Sequence, residues 1–275
     1  MIEQTPFADE TAWSELKTLL RRHAAQQLVR RFHHVRVSYK RDGSPVTEAD
    51  RAMQQAVAAD LARRWPQYGF LGEESECAAQ DSALAHRQGC WILDPLDGTT
   101  NFAHGFELFA VSLALQVGGE VVLGIVHDPV RDEIFAARRG MGAELDDHPL
   151  HIEGGPTRLE ESLALVDYKR LPPSVGAALA TDPPYASQRN LGTVALDWCW
   201  LAAGRADLYL HGGQKLWDYA AGHLVFLEAG GAALTLEGEP IPVPMVRPRS
   251  AVAAVTPMLL AAWRRHLAGL MREED

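Results

Sequence analysis

Two aspartates stand three residues apart directly after an apolar run near the middle of the chain. Asp94 and Asp97 follow the run at residues 91–93, with Pro95 between them and Gly98 after them. Because proline fixes φ and glycine permits a turn that other residues resist, we expect both carboxylates to project from a strand end toward one point. Such oxygens are the ligands that Mg²⁺ prefers. The pair alone fits equally well a turn whose acids cap backbone groups.

Other acids stand at predicted strand ends and helix starts. Glu73 and Glu74 end a short apolar segment, which places two more carboxylates behind a strand candidate. Asp218 opens a helix candidate, and Asp50 lies beside Thr47 at another helix start. Capping of the helix is the ordinary role of an acid at such a position. Together with the aspartate pair, these acids come from several parts of the chain, as a two-metal site for displacement at phosphorus requires.

The same acids lie in motifs that resemble the inositol monophosphatase family. In chain order the motifs are Ser44-Pro45-Val46-Thr47-Glu48-Ala49-Asp50, Gly72-Glu73-Glu74-Ser75, Asp94-Pro95-Leu96-Asp97-Gly98-Thr99-Thr100-Asn101-Phe102, Trp217-Asp218-Tyr219-Ala220-Ala221-Gly222 and Glu228-Ala229-Gly230-Gly231. They keep the family's order and spacing and cover most of the chain from about residue 40 to 235. The resemblance implies an α+β fold of the layered αβαβα sandwich type. It also implies a Mg²⁺-dependent, lithium-sensitive phosphatase and a homodimer.

The resemblance implies that four of these acids are metal ligands. The first ion would be held by Glu73, Asp94 and the backbone carbonyl of Leu96, and the second by Asp94, Asp97 and Asp218. A weaker third ion would bind at Glu73, and Glu74 would support the ligands from behind. With two to three Mg²⁺ ions in place, a small phosphate monoester would be hydrolysed by metal-activated water, without a covalent enzyme intermediate.

Catalytic and substrate-binding residues follow from the same resemblance. Thr99, paired with Asp50, would orient and deprotonate the attacking water, with Glu73 as the third catalytic residue. Backbone N–H groups of Gly98 and Thr99 would bind the phosphate. The full set expected to contact the substrate is Asp97, Gly98, Thr99, Gly192, Thr193, Val194, His211 and Asp218.

Two cues about the substrate conflict. Inositol-specific members carry a glutamate six residues before the Trp-Asp motif, where this chain has His211, which cannot offer the same acceptor pair to a vicinal diol. Members that act on histidinol phosphate or adenosine 3′,5′-bisphosphate usually carry lysine where this chain has Thr100. We expect inositol 1-phosphate, with those two substrates as alternatives. His211 and Lys215 are the residues to test, although an exposed loop histidine is more often inert.

Composition limits the remaining function classes. The 275 residues are 47% apolar with a formal net charge of −10, which allows a sizeable core and argues against a nucleic-acid binder. The first residues lack the pattern of a secretory signal, and no run approaches the roughly 18 apolar residues of a membrane span. Three cysteines, Cys77, Cys90 and Cys199, lack metal-binding spacing and indicate reduced thiols. We therefore expect a soluble cytoplasmic protein, with a non-catalytic regulatory protein on the same fold as the alternative from another class.

Periodicity predicts the elements that position these residues. Helix candidates are residues 9–32, 50–65, 173–180, 194–203, 218–228 and 257–271. Strand candidates are residues 68–72, 91–93, 109–116, 121–127, 133–138, 164–166, 208–210, 232–236 and 251–254. A change of pattern near residue 150 divides the chain into an α+β half at 1–150, with most metal ligands, and an α/β half at 151–275, with Asp218 and the specificity segments.

Overall fold

The computed structural model describes residues 2–32, 37–39, 45–75, 82–241 and 246–272. Its α-helices are α1 Glu10–Gln27, α2 Glu48–Arg64, α3 Thr99–Ala103, α4 Pro173–Thr181, α5 Val194–Ala202, α6 Leu216–Glu228 and α7 Pro257–Arg272. Its strands are β1 Val37–Tyr39, β2 Pro45–Thr47, β3 Gly69–Gly72, β4 Cys90–Asp97, β5 Ala110–Val117, β6 Glu120–Asp128, β7 Glu133–Arg138, β8 Gly142–Leu145, β9 His148–Leu150, β10 Leu163–Asp167, β11 Ser187–Arg189, β12 Leu208–Gln214, β13 Ala232–Leu234 and β14 Arg249–Ala254.

The larger sheet is covered on one face by the first two long helices. Among the described residues it has seven strands in the order β3-β4-β5-β6-β7-β8-β9, parallel between β3 and β4 and antiparallel elsewhere. Leu16 and Leu20 of α1 and Met53 and Val57 of α2 recur at helical spacing and are fully buried. Each such side chain contributes about 2 kcal/mol when it leaves water, so this apolar face fixes both helices on the sheet.

The smaller sheet completes a layered sandwich. Within the described ranges it has the order β11-β10-β12-β14-β13, with β10 parallel to both of its neighbours. Helices α5 and α6 lie between the two sheets, and α4 and α7 pack outside the smaller one. Gly124 shows how closely α6 approaches β6, because a Cβ there would lie 2.7 Å from the Ala221 backbone. The predicted αβαβα architecture is confirmed.

Several element boundaries differ from the sequence prediction. Helix α1 ends at Gln27, not at residue 32, because the chain tightens into a 3₁₀ turn at Val29–Arg31. Helix α6 begins at Leu216, so Asp218 is its third residue and not its first. Strands β8, β9 and β11 were not predicted. They are short, and β9 and β11 are largely exposed, so pairing with neighbouring strands determines their conformation where their own sequence patterns do not.

Other sequence predictions concern cysteines, domains and membranes. Cys90 and Cys199 are free and buried, as predicted, whereas Cys77 and Ser44 lie outside the described residues. One hydrophobic core contains residues of both sheets, such as Ile92 and Leu210, and the division at residue 150 stays a prediction. In the part of the chain that the structure describes, no helix is both long enough and apolar enough to cross a bilayer.

Candidate active site

Strand β4 carries the aspartate pair inside the strand, not after it as predicted. Asp94 pairs with Ser112 and Asp97 with Ala110, so the register of β4 against β5 shifts between the two acids. The backbone N–H of Leu96 donates to Asp94 Oδ1 at 3.0 Å, which closes this irregular turn. The extra length between two paired positions lets both carboxylates leave the sheet at the same end of the strand.

Glycine is required where β4 turns into the short helix α3. Gly98 has a φ of 90°, in the left-handed region that other residues rarely adopt. A Cβ at this position would lie 2.9 Å from the Leu108 carbonyl oxygen and 3.4 Å from that of Gly192. The predicted phosphate-binding segment therefore lies against the predicted substrate segment at residues 192–194.

The start of α5 binds Asp97 directly. Thr193 Oγ1 donates to Asp97 Oδ2 at 2.7 Å, and the backbone N–H of Ala195 donates to the same oxygen at 2.6 Å. Thr193 is also the N-cap of α5. Since a helix N-terminus favours negative charge, this contact fixes the Asp97 carboxylate and joins the second half of the chain to β4.

Glu73 and Asp218 approach the aspartate pair from two other elements. The backbone N–H of Glu73 donates to the Leu93 carbonyl at 3.0 Å, which places Glu73 beside the end of β4. The backbone N–H of Lys215 donates to Asp218 Oδ2 at 2.9 Å, so Asp218 caps its own helix. We call Glu73, Asp94, Asp97 and Asp218 the carboxylate cluster.

The predicted pairing of Thr99 with Asp50 is present. Thr99 Oγ1 lies 3.1 Å from Asp50 Oδ1 and 2.9 Å from the Leu96 carbonyl oxygen, two acceptors for one hydroxyl proton. Asp50 Oδ2 accepts from the Thr47 N–H at 2.8 Å, which completes the capping box of α2. Burial raises the pKa of Asp50 to about 6, and the charges of Glu73 and Glu74 act in the same direction.

Burial and mutual repulsion shape the charge of the carboxylate cluster. Burial, followed by the negative charges of the other three acids, raises the pKa of Asp94 well above its usual range. Burial raises the pKa of Asp97 to about 6 despite its hydrogen bonds from the start of α5. Burial, and then the charges of Asp97 and Glu73, raise the pKa of Asp218 to about 8. The protein thus holds together acids that repel one another.

The donor set of the carboxylate cluster fits a hard divalent cation. Carboxylate oxygens from β3, β4 and α6, with the Leu96 carbonyl between the two aspartates, are the ligands that Mg²⁺ prefers. Within the described ranges, no three histidine, cysteine or acidic side chains already converge on one metal position. The buried acids of the cluster repel one another, and a bound cation would relieve that repulsion.

Glu74 lies beside the carboxylate cluster. Its backbone N–H donates to Gln54 Oε1 at 3.0 Å, which ties the end of β3 to α2. Its charge contributes to the raised pKa of Asp50. The structure therefore places Glu74 next to the predicted ligands, and its supporting role stays a prediction.

His211 differs from the exposed loop histidine that the sequence suggested. It is a buried residue of β12, paired in register with Asp167 at the end of β10. Its Nε2 lies 3.2 Å from Asp167 Oδ2, and its Nδ1 accepts from the Gly213 N–H at 3.0 Å. Both ring nitrogens thus have protein partners. Sequence reasoning missed Asp167, although an acid at the end of a predicted strand is the same signal that marked Asp94.

Comparisons with known proteins agree with this arrangement. A family model described as the inositol monophosphatase family matches residues 3–272. An inositol-1-monophosphatase of Mesorhizobium japonicum is 36% identical over 232 residues, which are 78% of this chain and 82% of that protein. The Nus factor SuhB of Pasteurella multocida is 36% identical over 198 residues, 70% of this chain and 72% of that protein. The crystal structure of the extragenic suppressor protein SuhB from Bartonella henselae has a TM-score of 0.81 at 32% identity, over 93% of this chain and 98% of that one.

Proposed function

This chain belongs to the inositol monophosphatase family, and we propose that it is a Mg²⁺-dependent phosphatase that hydrolyses a small phosphate monoester. One observation carries the proposal: the carboxylate cluster joins four acids from three parts of the chain, although burial and repulsion oppose the ionisation of Asp94, Asp97 and Asp218. Cations would remove that repulsion, whereas a scaffold without metal has no use for it.

The carboxylate cluster and one carbonyl would hold the ions. Glu73, Asp94 and the Leu96 carbonyl would bind one Mg²⁺, and Asp94 would share a second with Asp97 and Asp218. A third, weaker ion at Glu73 and inhibition by lithium belong to the same proposal. Bound Mg²⁺ supplies positive charge that offsets the phosphate dianion and lowers the pKa of water.

Thr99 and Asp50 would move the proton. Thr99 Oγ1 already contacts Asp50 Oδ1, so a proton taken by the threonine hydroxyl oxygen has an acceptor at hydrogen-bond distance. The pKa of about 6 at Asp50 leaves its carboxylate ionised at pH 7 and close to the range in which a general base works best. Glu73 would take part through its position beside Asp94.

Backbone groups at the turn after β4 would bind the phosphate. The N–H groups of Gly98 and Thr99 stand at the start of α3, where the positive φ of Gly98 turns the chain out of β4. Residues 192–194 lie against this turn and would line the side of the pocket that holds the alcohol. Asp97 and Asp218 would face the phosphate ester from the metal side.

For the substrate we propose inositol 1-phosphate, with histidinol phosphate and adenosine 3′,5′-bisphosphate as the alternatives. Relatives named inositol-1-monophosphatase support the first. The position of His211 supports the alternatives, because a buried histidine with both nitrogens engaged offers no acceptor pair to a vicinal diol. We also propose a cytoplasmic homodimer without nucleic-acid or membrane partners; light scattering on the purified protein tests its mass.

Phosphate release from a panel of substrates tests the activity. The panel contains inositol 1-phosphate, histidinol phosphate, adenosine 3′,5′-bisphosphate, fructose 1,6-bisphosphate and NADP, each with and without Mg²⁺. We expect turnover that requires Mg²⁺ and strongly favours one substrate. Folded protein that releases no phosphate from any member at millimolar Mg²⁺ would contradict the proposal.

A regulatory role on the same fold is the second candidate function. It is favoured by relatives named Nus factor SuhB, which share up to 36% identity with this chain. The thermal response to Mg²⁺ separates the two, because a ligand that binds only the folded state raises the melting temperature. A melting temperature that does not change at millimolar Mg²⁺, together with a silent substrate panel, would favour the regulatory role.

A further inference from the structure

Lys215 brings a positive charge to the carboxylate cluster. Its Nζ lies 3.6 Å from Glu73 Oε1, and the exposed fractions of the two side chains are 30% and 14%. The ammonium therefore faces one of the four acids that are expected to hold metal, and the backbone of Lys215 is bonded to another, Asp218.

Backbone hydrogen bonds and an aromatic ring hold Lys215 beside the carboxylate cluster. The Lys215 N–H donates to Asp218 Oδ2 at 2.9 Å, and the Lys215 carbonyl accepts from the Asp218 N–H at 3.1 Å. The ammonium also lies 5.5 Å from the centre of the Trp217 ring, within the range of a cation–π contact. A residue tied to a metal ligand at both backbone groups cannot move away from the cluster as a free surface lysine does.

We propose that Lys215 is a built-in cation of the carboxylate cluster, which stabilises the metal-free site and competes with a divalent ion for Glu73. The inference rests on the proposed function, since it presumes that the cluster binds Mg²⁺. An ammonium and a divalent ion repel each other and use the same carboxylate oxygens. Mg²⁺ that binds at Glu73 must therefore weaken or displace the contact with Lys215.

The two roles have opposite consequences for a variant without the charge. In the absence of metal, removal of the ammonium leaves the repulsion among the acids less compensated, so the protein is less stable. In the presence of Mg²⁺, removal of the competitor strengthens ion binding, so the loss of stability shrinks as the site fills. A lysine with a purely structural contact to Glu73 would lower stability equally with and without Mg²⁺.

Calorimetric Mg²⁺ titration and thermal melting of Lys215→Gln test this proposal. We expect Mg²⁺ to bind about two- to tenfold more tightly than in the wild type, the size of a partly exposed ion pair. We expect a lower melting temperature without metal and a smaller difference at saturating Mg²⁺. Mg²⁺ affinity that is unchanged or weaker in the folded variant would overturn the proposal.

Three further variants make the result specific. Lys215→Arg keeps the charge and should bind Mg²⁺ like the wild type. Lys169→Gln makes the same substitution at an exposed lysine and should change nothing. Lys215→Met replaces the ammonium with an uncharged side chain of similar length and carries the same test if the glutamine variant does not fold. Wild-type protein that binds no Mg²⁺ would overturn the proposed function, while the metal-free melting temperatures would still test the stabilising role of Lys215.

Discussion

Two strand ends in this protein are built alike and hold charge in different ways. The register of β4 shifts between Asp94 and Asp97, and the register of β12 against β14 shifts between His211 and Gln214. Each irregular strand end leads into a helix that carries predicted ligands or phosphate-binding groups. At the end of β4 like charges are brought together, whereas at the end of β12 His211 and Lys215 each face an acid.

The partners at β12 come from distant parts of the chain. Asp167 lies beside His211, and Glu73 lies beside Lys215. The backbone around β4 instead supplies hydrogen bonds that hold acids without neutralising them. Under the proposed function, the acids at the end of β4 would bind Mg²⁺, while His211 and Lys215 at the end of β12 are held beside acids of the protein itself.

The largest expected effect comes from a charge at the end of β4. Asp94→Asn removes the carboxylate implied for both ions, so kcat should fall by at least about a thousandfold. The melting temperature without metal should hold or rise, because one repelling charge is gone. Steady-state phosphate release measures the first effect, and Glu153→Gln, at an exposed acid, is the control. If the Asp94→Asn variant has the activity of the wild type, Asp94 is not a metal ligand that turnover requires.

Thr99 should have the next largest effect. Thr99→Ala removes the hydroxyl that contacts Asp50, and general-base catalysis is worth about a hundredfold or more, so kcat should fall by about that factor while KM changes little. Thr100→Ala, at the exposed neighbour, is the matched control. If kcat is unchanged in Thr99→Ala, the proton does not pass through Thr99.

The acids at β4 and α6 should also make metal binding depend on pH. Ion binding requires ionised carboxylates, and the pKa values are about 6 at Asp97 and about 8 at Asp218. Mg²⁺ affinity should therefore rise from pH 6 to pH 8, by up to about tenfold per pH unit for each proton that binding releases. Calorimetry at both pH values checks the trend, and equal affinity at both would contradict the raised pKa values.

Metal-free stability should follow the opposite trend. Because the pKa values of these acids are raised in the folded state, the folded protein binds more protons than the unfolded chain above about pH 4. Without Mg²⁺ the melting temperature should thus fall as pH rises through 6 and 8, the window set by Asp97 and Asp218. Saturating Mg²⁺ should flatten this dependence, and a metal-free melting temperature that rises over the same window would contradict the assigned repulsion.

The smallest effect on turnover is expected at the end of β12. His211→Leu leaves the Gly213 N–H and Asp167 without their partner, so unfolding free energy should fall by about 1–3 kcal/mol. The kcat on the best substrate should change less than about tenfold, because both ring nitrogens already bond to the protein. Denaturant unfolding and kinetics measure the two quantities, with His211→Gln as the polar control. A loss of kcat as large as that expected for Asp94→Asn would abolish the distinction between the two strand ends.

The contrast also explains how much of the site could be predicted from the sequence. The end of β4 was predictable because its apolar run, proline and glycine lie within a few residues of Asp94 and Asp97. The pairing of Thr99 with Asp50 followed from family resemblance. The end of β12 was not predictable, because the contact of His211 with Asp167 depends on the parallel register of β10 and β12.

The secondary-structure elements also differ in how well the sequence predicts them. The long helices and the apolar strands carry their own periodicity, so their positions were predicted to within a few residues. Strand β11 at Ser187–Arg189 is exposed throughout and exists by pairing with β10, which no local pattern reveals. The predicted end of α1 was wrong because apolar residues continue past Gln27 at helical spacing, although the backbone there forms a 3₁₀ turn.

Direct calorimetric titration of Mg²⁺ into metal-free wild type and Asp94→Asn tests most directly whether the carboxylate cluster is a metal centre. We expect two to three ions to bind to the wild type, and the tightest binding to disappear in the variant. Binding that is the same in both proteins, or absent from the folded wild type, would show that the acids at the end of β4 do not form a Mg²⁺ site.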